Sequence, residues 1–267
     1  MKIDHDQVTA LMREAAETEI LPLWQNLHSH QVEEKQRNDF VTVADKACED
    51  WLAPRLQDLV PSSVVIGEEA VHVNPSLMAA LGSERPIWII DPLDGTNNFA
   101  AGQEPIAVMV CLVYQGRTLA GWIYDPLAES MLSAERGAGT LLDGKPLTLT
   151  PHTGPPGNIN GALSTKYLPE DMRPHAVAGA ADLGRTLASG CAGYDYRALA
   201  TGIYQFQFYY RTLPWDHAPG ALIIEEAGGI ARRYNGKPYR ASAKGSGLIV
   251  ACDEQTWSTV RNKLLAE

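Results

Sequence analysis

Apolar and polar positions follow two periods along this chain, and each period marks a different kind of element. In residues 4 to about 30 the positions Val8, Leu11, Met12, Ala15, Ala16, Leu23, Trp24 and Leu27 recur at helical spacing. They predict a long amphipathic helix that Asp4 can cap and that Pro22 kinks or breaks. Residues 31–38 are polar and read as a loop carrying Lys35. The segment Asp39-Phe40-Val41-Thr42-Val43-Ala44-Asp45 leads into a second helix, with Ala47, Trp51, Leu52, Leu56 and Leu59 as its inward stripe.

The period then shortens. Val64-Val65-Ile66 reads as a short strand ending in Gly67-Glu68-Glu69, and residues 71–86 as a loop or short helix. Residues 87–90 form a wholly apolar strand that runs directly into Asp91-Pro92-Leu93-Asp94-Gly95-Thr96. Residues 106–114 and 118–124 are joined by Gln115-Gly116-Arg117, a hairpin signal. Residues 131–134 and 139–142 extend that sheet antiparallel, followed by an Asp143-Gly144 turn.

Residues 151–158 are the richest cluster of Pro and Gly, and the domain boundary is expected there. The expectation is an N-terminal α+β domain over 1–150 and a C-terminal α/β domain over 151–267. In the second half, strands are predicted at 162–165, 205–210 and 248–251, with helices at 194–201, 215–227 and 254–265. Gly228-Gly229 would close the second of these helices.

Composition narrows the classes. Hydrophobic residues make up 45% of the 267 positions and charged residues 20%, as in an ordinary soluble globular protein. No apolar stretch approaches the ~18 residues of a membrane span, and the polar N-terminus lacks a signal-peptide core. Cys48, Cys111, Cys191 and Cys252 are too scattered for a zinc knuckle or a disulfide framework, so a reducing cytoplasm is expected. The net charge of −10, with no basic block, argues against nucleic-acid binding. That sign is also wrong for an anionic substrate, unless divalent cations invert it locally.

The acids next to apolar segments carry the candidate chemistry: Asp45, Glu68, Glu69, Asp91, Asp94 and Asp216. Acids at the ends of buried strands imply either basic partners or a metal, and basic residues near these motifs are scarce. An all-oxygen donor set suits Mg²⁺ or Mn²⁺ rather than zinc. Taken singly, Asp91 or Asp216 could cap a helix, and Glu68-Glu69 could be an acidic loop. Gly95 lets the backbone approach an anion closely, and the N–H groups of the helix start that follows can hold phosphate oxygens. Thr96 could orient a water, or serve as a helix cap and nothing more.

These residues resemble the inositol monophosphatase family. Asp91-Pro92-Leu93-Asp94-Gly95-Thr96-Asn97-Asn98-Phe99 is similar to its DPxDGTxNF signature, and Trp215-Asp216-His217-Ala218-Pro219-Gly220-Ala221 through Glu226-Ala227-Gly228-Gly229 to its second signature. Gly67-Glu68-Glu69 and the segment from Asp39 to Asp45 match two further motifs, in the family's order.

The resemblance implies an αβαβα sandwich shared with fructose-1,6-bisphosphatases. It also implies a homodimer and a Mg²⁺-dependent, lithium-sensitive phosphatase acting on small phosphate monoesters. By motif, Glu68, Asp91 and the Leu93 carbonyl would hold a first metal, and Asp91, Asp94 and Asp216 a second. Glu68 would also reach a weakly held third. Asp45 and Thr96 would position the attacking water, and the Gly95 and Thr96 N–H groups would bind phosphate. The substrate pocket would also draw on Asp94, Asp216, Ala192 of the Gly190-Cys191-Ala192-Gly193 turn, and Tyr209.

Departures from the family pattern fall in the leaving-group pocket. Tyr209 stands where inositol-specific members have Glu, and Tyr194-Asp195-Tyr196-Arg197 is not typical of them. Arg211, Arg197, Arg185 or Lys166 could contact a second phosphate, or make surface pairs. The loop with Lys35 is about one residue shorter than the common form. The aromatic run 204–210 reads as strand packing. Inositol monophosphate or a similar polyol phosphate is the expected substrate. Fructose 1,6-bisphosphate, histidinol phosphate and a 3′-phosphonucleotide are the alternatives, and a regulatory binding role is the non-enzymatic one.

Overall fold

The computed structural model describes residues 3–36, 39–243 and 245–265. Along the chain, α1 (His5–Ala15) is followed by strands β1 (Val32–Gln36) and β2 (Asp39–Thr42), then α2 (Val43–Leu59), β3 (Val64–Gly67) and α3 (Glu68–Val73). Next come β4 (Ile87–Asp94), α4 (Thr96–Ala100), β5 (Ala107–Tyr114), β6 (Arg117–Asp125), β7 (Ser130–Glu135), β8 (Gly139–Leu142) and β9 (Lys145–Leu147). The remainder comprises β10 (Gly161–Leu163), α5 (Arg173–Ala180), β11 (Thr186–Leu187), α6 (Ala192–Ala200) and β12 (Phe206–Tyr209). It ends with α7 (Pro214–Glu226), β13 (Ile230–Arg232), β14 (Leu248–Ala251) and α8 (Glu254–Leu264).

Two sheets result. One has seven strands in the order β3-β4-β5-β6-β7-β8-β9, and the other five in the order β11-β10-β12-β14-β13. Only the β3–β4 pair of the large sheet is parallel.

Alternation along the strands explains the layering. Trp88 and Ile90 of β4 pack with Val8, Met12, Cys48 and Leu52 of α1 and α2. Ile87 and Ile89 point the other way, into a cluster with Tyr196 of α6 and Leu222 and Ile223 of α7. That cluster also takes Leu248 and Val250 of β14, while Ile249 and Ala251 face Ala176 of α5 and Trp257 and Val260 of α8. The order is helices, sheet, helices, sheet, helices: the expected αβαβα sandwich. No helix among the described residues is long and apolar enough to cross a membrane.

Four local expectations change. The first helix stops well short of residue 30: it passes into a π turn at Ala16–Ile20 and a 3₁₀ turn at Leu21–Leu23. Pro22 lacks an N–H and cannot continue the ladder. Part of the expected loop 31–38 is β1, paired antiparallel with β2; residues 37 and 38 of that loop lie outside the described residues. Lys35 sits on β1. The inward stripe of α2 is Ala44, Asp45, Cys48, Glu49, Leu52 and Leu56, so it includes two acids, while Ala47, Trp51 and Leu59 are half-buried. Residues 71–86 contain the end of α3 and a 3₁₀ helix, Pro75–Gly82.

Candidate active site

The C-terminal end of β4 supplies the centre. Its register against β5 slips between Asp91 and Asp94, where Pro92 interrupts the pairing. On a regular strand, residues three apart face opposite sides. The extra residue re-aims the chain, and Asp91, Leu93 and Asp94 all line one cavity of about 400 Å³. Gly95 follows with φ 89°, and a Cβ there would lie 2.7 Å from the Pro105 carbonyl oxygen. That turn opens α4 at Thr96.

Glu68 reaches the same cavity from the start of α3. Glu49 prepares that start: its carboxylate accepts the Glu69 N–H at 2.9 Å and the Ala70 N–H at 2.8 Å. Gly67 leaves room for it, since any Cβ at that position would overlap the Glu49 carboxyl. Burial pushes Glu49 up to about 7, against the pull of those two N–H groups. Sequence reasoning missed Glu49. Its signal was its place one helical turn after Asp45 on the same helix.

Asp216 arrives in the first turn of α7. Carboxylate oxygens of Glu68, Asp91 and Asp216 lie within 4.8 Å of one another, a spacing that suits a shared cation. Asp91 is 2% exposed, and its Oδ1 has no hydrogen-bond partner among the described residues. Burial raises its pKa well above the usual carboxylate range, and Glu68, Asp94 and Asp216 add to that. An all-carboxylate donor set, with Asp91 buried and one of its oxygens unpartnered and Glu68 and Asp216 half-buried, fits a hard divalent ion.

Asp94 is engaged differently. Its Oδ2 accepts the Gly193 N–H at 2.6 Å and lies 3.2 Å from Cys191 Sγ, so it ties β4 to the start of α6. Burial lifts it to about 6 against those hydrogen bonds. Gly193 permits the approach: a Cβ there would sit 2.6 Å from the Ala107 Cβ.

Asp45 lies beneath the cavity, 1% exposed. Its Oδ2 accepts from the Thr42 N–H at 2.7 Å and the Thr42 hydroxyl at 2.6 Å, within the capping box of α2. The Thr96 hydroxyl is 2.8 Å from Asp45 Oδ1 and 2.9 Å from the Leu93 carbonyl, and its one proton serves one of them at a time. Burial raises Asp45 to about 6, with the Thr42 hydroxyl opposing.

Ala192, Tyr209, Lys166 and Arg211 line the far side of the cavity. The Tyr209 hydroxyl donates to Asp195 Oδ2 at 2.6 Å. Burial raises Asp195 to about 7, with the Tyr209 hydroxyl the main opposing group; the Ser189 hydroxyl is also nearby, but its one proton goes to the Cys191 carbonyl at 2.9 Å. Behind Asp216, His217 is buried between the Arg211 carbonyl at Nε2 and the Tyr196 hydroxyl at Nδ1, both 3.2 Å away. The carbonyl can only accept, so Nε2 carries the proton. Burial holds His217 down at about 3.

Of the four candidate cations, Arg211 stacks on Tyr167 at 4.0 Å, and Lys166 lies over the same ring at 5.1 Å. Arg197 turns to Asp125 at 3.6 Å and Arg185 is exposed; neither lines the cavity. A larger cavity of about 860 Å³ lies beside residues 142–154, but Asp143 is the one acid in its wall. The clustered Glu68, Asp91 and Asp216 carboxylates line the smaller cavity.

The fold and site define a class: αβαβα proteins with clustered carboxylates at a strand end, over a Gly-Thr helix start. The sequence pattern of the inositol monophosphatase family matches residues 4–266, and the chain belongs to that family.

The protein named Nus factor SuhB from Pseudomonas aeruginosa is 30% identical over 214 residues, covering 77% of this chain and 76% of that protein. The crystal structure of inositol monophosphatase II from Staphylococcus aureus matches at 26% identity and TM-score 0.79, covering 98% of this chain and 92% of that one. The Thermotoga maritima IMPase has the same fold at TM-score 0.80 and 22% identity, over 97% and 96% of the two chains.

Proposed function

We propose that this protein is a Mg²⁺-dependent phosphomonoesterase acting on inositol monophosphate or a similar small polyol phosphate. The observation that carries the reading is the grouping of Glu68, Asp91 and Asp216 within 4.8 Å in the cavity that Gly95 and Thr96 also line. Glu68, Asp91, Asp94, Asp216 and the Leu93 carbonyl would hold two or three ions, with Mn²⁺ as a substitute. When bound, such ions neutralise the ester dianion and lower the pKa of water.

The chain's own groups do the rest. The Gly95 and Thr96 N–H groups hold phosphate oxygens at the start of α4. Asp45, braced by Thr42, orients the Thr96 hydroxyl, and through it the attacking water. Ala192 presents its N–H to the leaving alcohol. Tyr209 contributes the pocket wall, because its hydroxyl is committed to Asp195. On this reading most of the site belongs to a domain over 1–150, with Asp216 and the leaving-group pocket in a domain over 151–267. The protein would work as a cytoplasmic homodimer.

A second reading is a regulatory binding role, favoured by relatives named Nus factor SuhB. Phosphate release from a panel of monoesters, with and without Mg²⁺, separates the two. The panel includes inositol 1-phosphate, fructose 1,6-bisphosphate, histidinol phosphate and a 3′-phosphonucleotide. The expected result is Mg²⁺-dependent release, fastest from a polyol monophosphate. No release from any ester would overturn the phosphatase reading in favour of binding.

A further inference from the structure

Two carboxylate oxygens in the wall of the active-site cavity have no hydrogen-bond partner among the described residues: Asp91 Oδ1 and Asp195 Oδ1. The metal-binding acids account for the first. Nothing in the proposed chemistry accounts for the second, yet a buried polar atom without a partner costs about 1–3 kcal/mol.

Asp195 is 3% exposed and stands in the first turn of α6. Tyr209 fixes its orientation by donating to Oδ2 at 2.6 Å. It lies one turn beyond Ala192, so both fall on the same side of the helix. No cation of α6 neutralises it: Arg197 is 3.6 Å from Asp125 instead. The charged neighbour acting on it is Asp94, which pushes its pKa the same way as burial does. The start of α6 thus holds Asp94 through Gly193 and presents a second, braced carboxylate on the leaving-group side of the cavity.

We propose that Asp195, braced by Tyr209, selects the alcohol that leaves, with Oδ1 accepting a hydrogen bond from a hydroxyl or ammonium donor on it. This rests on the phosphatase reading. An alcohol without such a donor leaves the buried oxygen unsatisfied, and the site discriminates against it.

The test compares kcat/KM, above about pH 8 where Asp195 is ionised, for glycerol 2-phosphate, O-phosphoethanolamine and p-nitrophenyl phosphate, which offer hydroxyl donors, an ammonium donor and neither. In Asp195→Asn the Tyr209 hydroxyl keeps the amide oxygen, so an NH₂ group faces the incoming donor. The ratio of the donor-bearing esters to p-nitrophenyl phosphate is expected to fall about tenfold or more, mainly through KM. Loss confined to glycerol 2-phosphate identifies a hydroxyl as the donor, and loss confined to O-phosphoethanolamine an ammonium.

Tyr209→Phe removes the brace and should lower the same ratio. A ratio unchanged in both variants, or an equal loss on all three esters, overturns the assignment of Asp195 while leaving the phosphatase reading intact. If the unsubstituted protein releases phosphate from inositol 1-phosphate but from neither donor-bearing ester, the assignment of Asp195 falls alone; if it releases none from any ester, inositol 1-phosphate included, the phosphatase reading falls with it.

Discussion

Single side chains in the cavity carry separable duties. Asp91 lies in the triad that also includes Glu68 and Asp216, and in the metal-free protein burial and its acid neighbours keep its pKa high. Asp91→Asn removes a charge that the fold finds unfavourable without metal, so stability should be kept or gained while phosphate release is lost. Thermal unfolding in EDTA and turnover at saturating Mg²⁺ check both halves; near-normal turnover would be fatal to the assignment. Gly193 has a steric duty. In Gly193→Ala the new Cβ meets Ala107, and the 2.6 Å bond from its N–H to Asp94 must lengthen. The expected cost is about 1–3 kcal/mol in urea unfolding, together with reduced turnover.

At the scale of elements, helix starts aim the chemistry. The capping box of α2 that orders the helix also orients Asp45 toward Thr96. Thr42→Ala should lower stability by ~1 kcal/mol in urea unfolding and also slow hydrolysis, because one hydroxyl serves both ends. A stability loss with full turnover would separate Asp45 from the chemistry.

Elements with strong patterns were legible: β4, the β5–β6 hairpin, α7 and β14 all lie where their patterns put them. The end of the first helix, the strand at Val32–Gln36 and the inward face of α2 were not. Pro22 only hinted at a break, β1 is polar and held by pairing with β2, and α2 buries acids that a hydrophobic count assigns to solvent. Among the candidate site residues, Glu68, Asp91, Asp94, Thr96 and Asp216 stood out because they flank apolar segments, and they line one cavity; Asp45 and Glu69 do not line it. Glu49 and Asp195 did not stand out, because the contacts that hold them, with α3 and β12, join separate elements.

At the scale of the molecule, buried acids dominate the response to pH. Asp45 and Asp94 sit at about 6, and Glu49 and Asp195 at about 7, all above the ordinary range near 4. Each binds its proton more tightly when folded. Their support is therefore complete below about pH 4 and is lost as pH rises through 6 to 7. His217 acts in the opposite sense: held near 3 in the fold, it penalises folding as pH drops below its unfolded value of about 6.5. In EDTA, the melting temperature should rise as pH falls from 8 toward about 5.5, and saturating Mg²⁺ should flatten that slope. A metal-free melting temperature that rises with pH across this window would contradict the assignment of these shifts.

The Asp94–Gly193 bond joins residues 99 positions apart, and Asp216 joins Glu68 and Asp91 from further still. Loop closure over such spans is slow and comes late. A nascent or half-folded chain would then carry the first signature, turn and all, and remain inert. On the phosphatase reading, turnover would begin only with the last long-range closure, and hydrolysis would be a clock for the completion of folding.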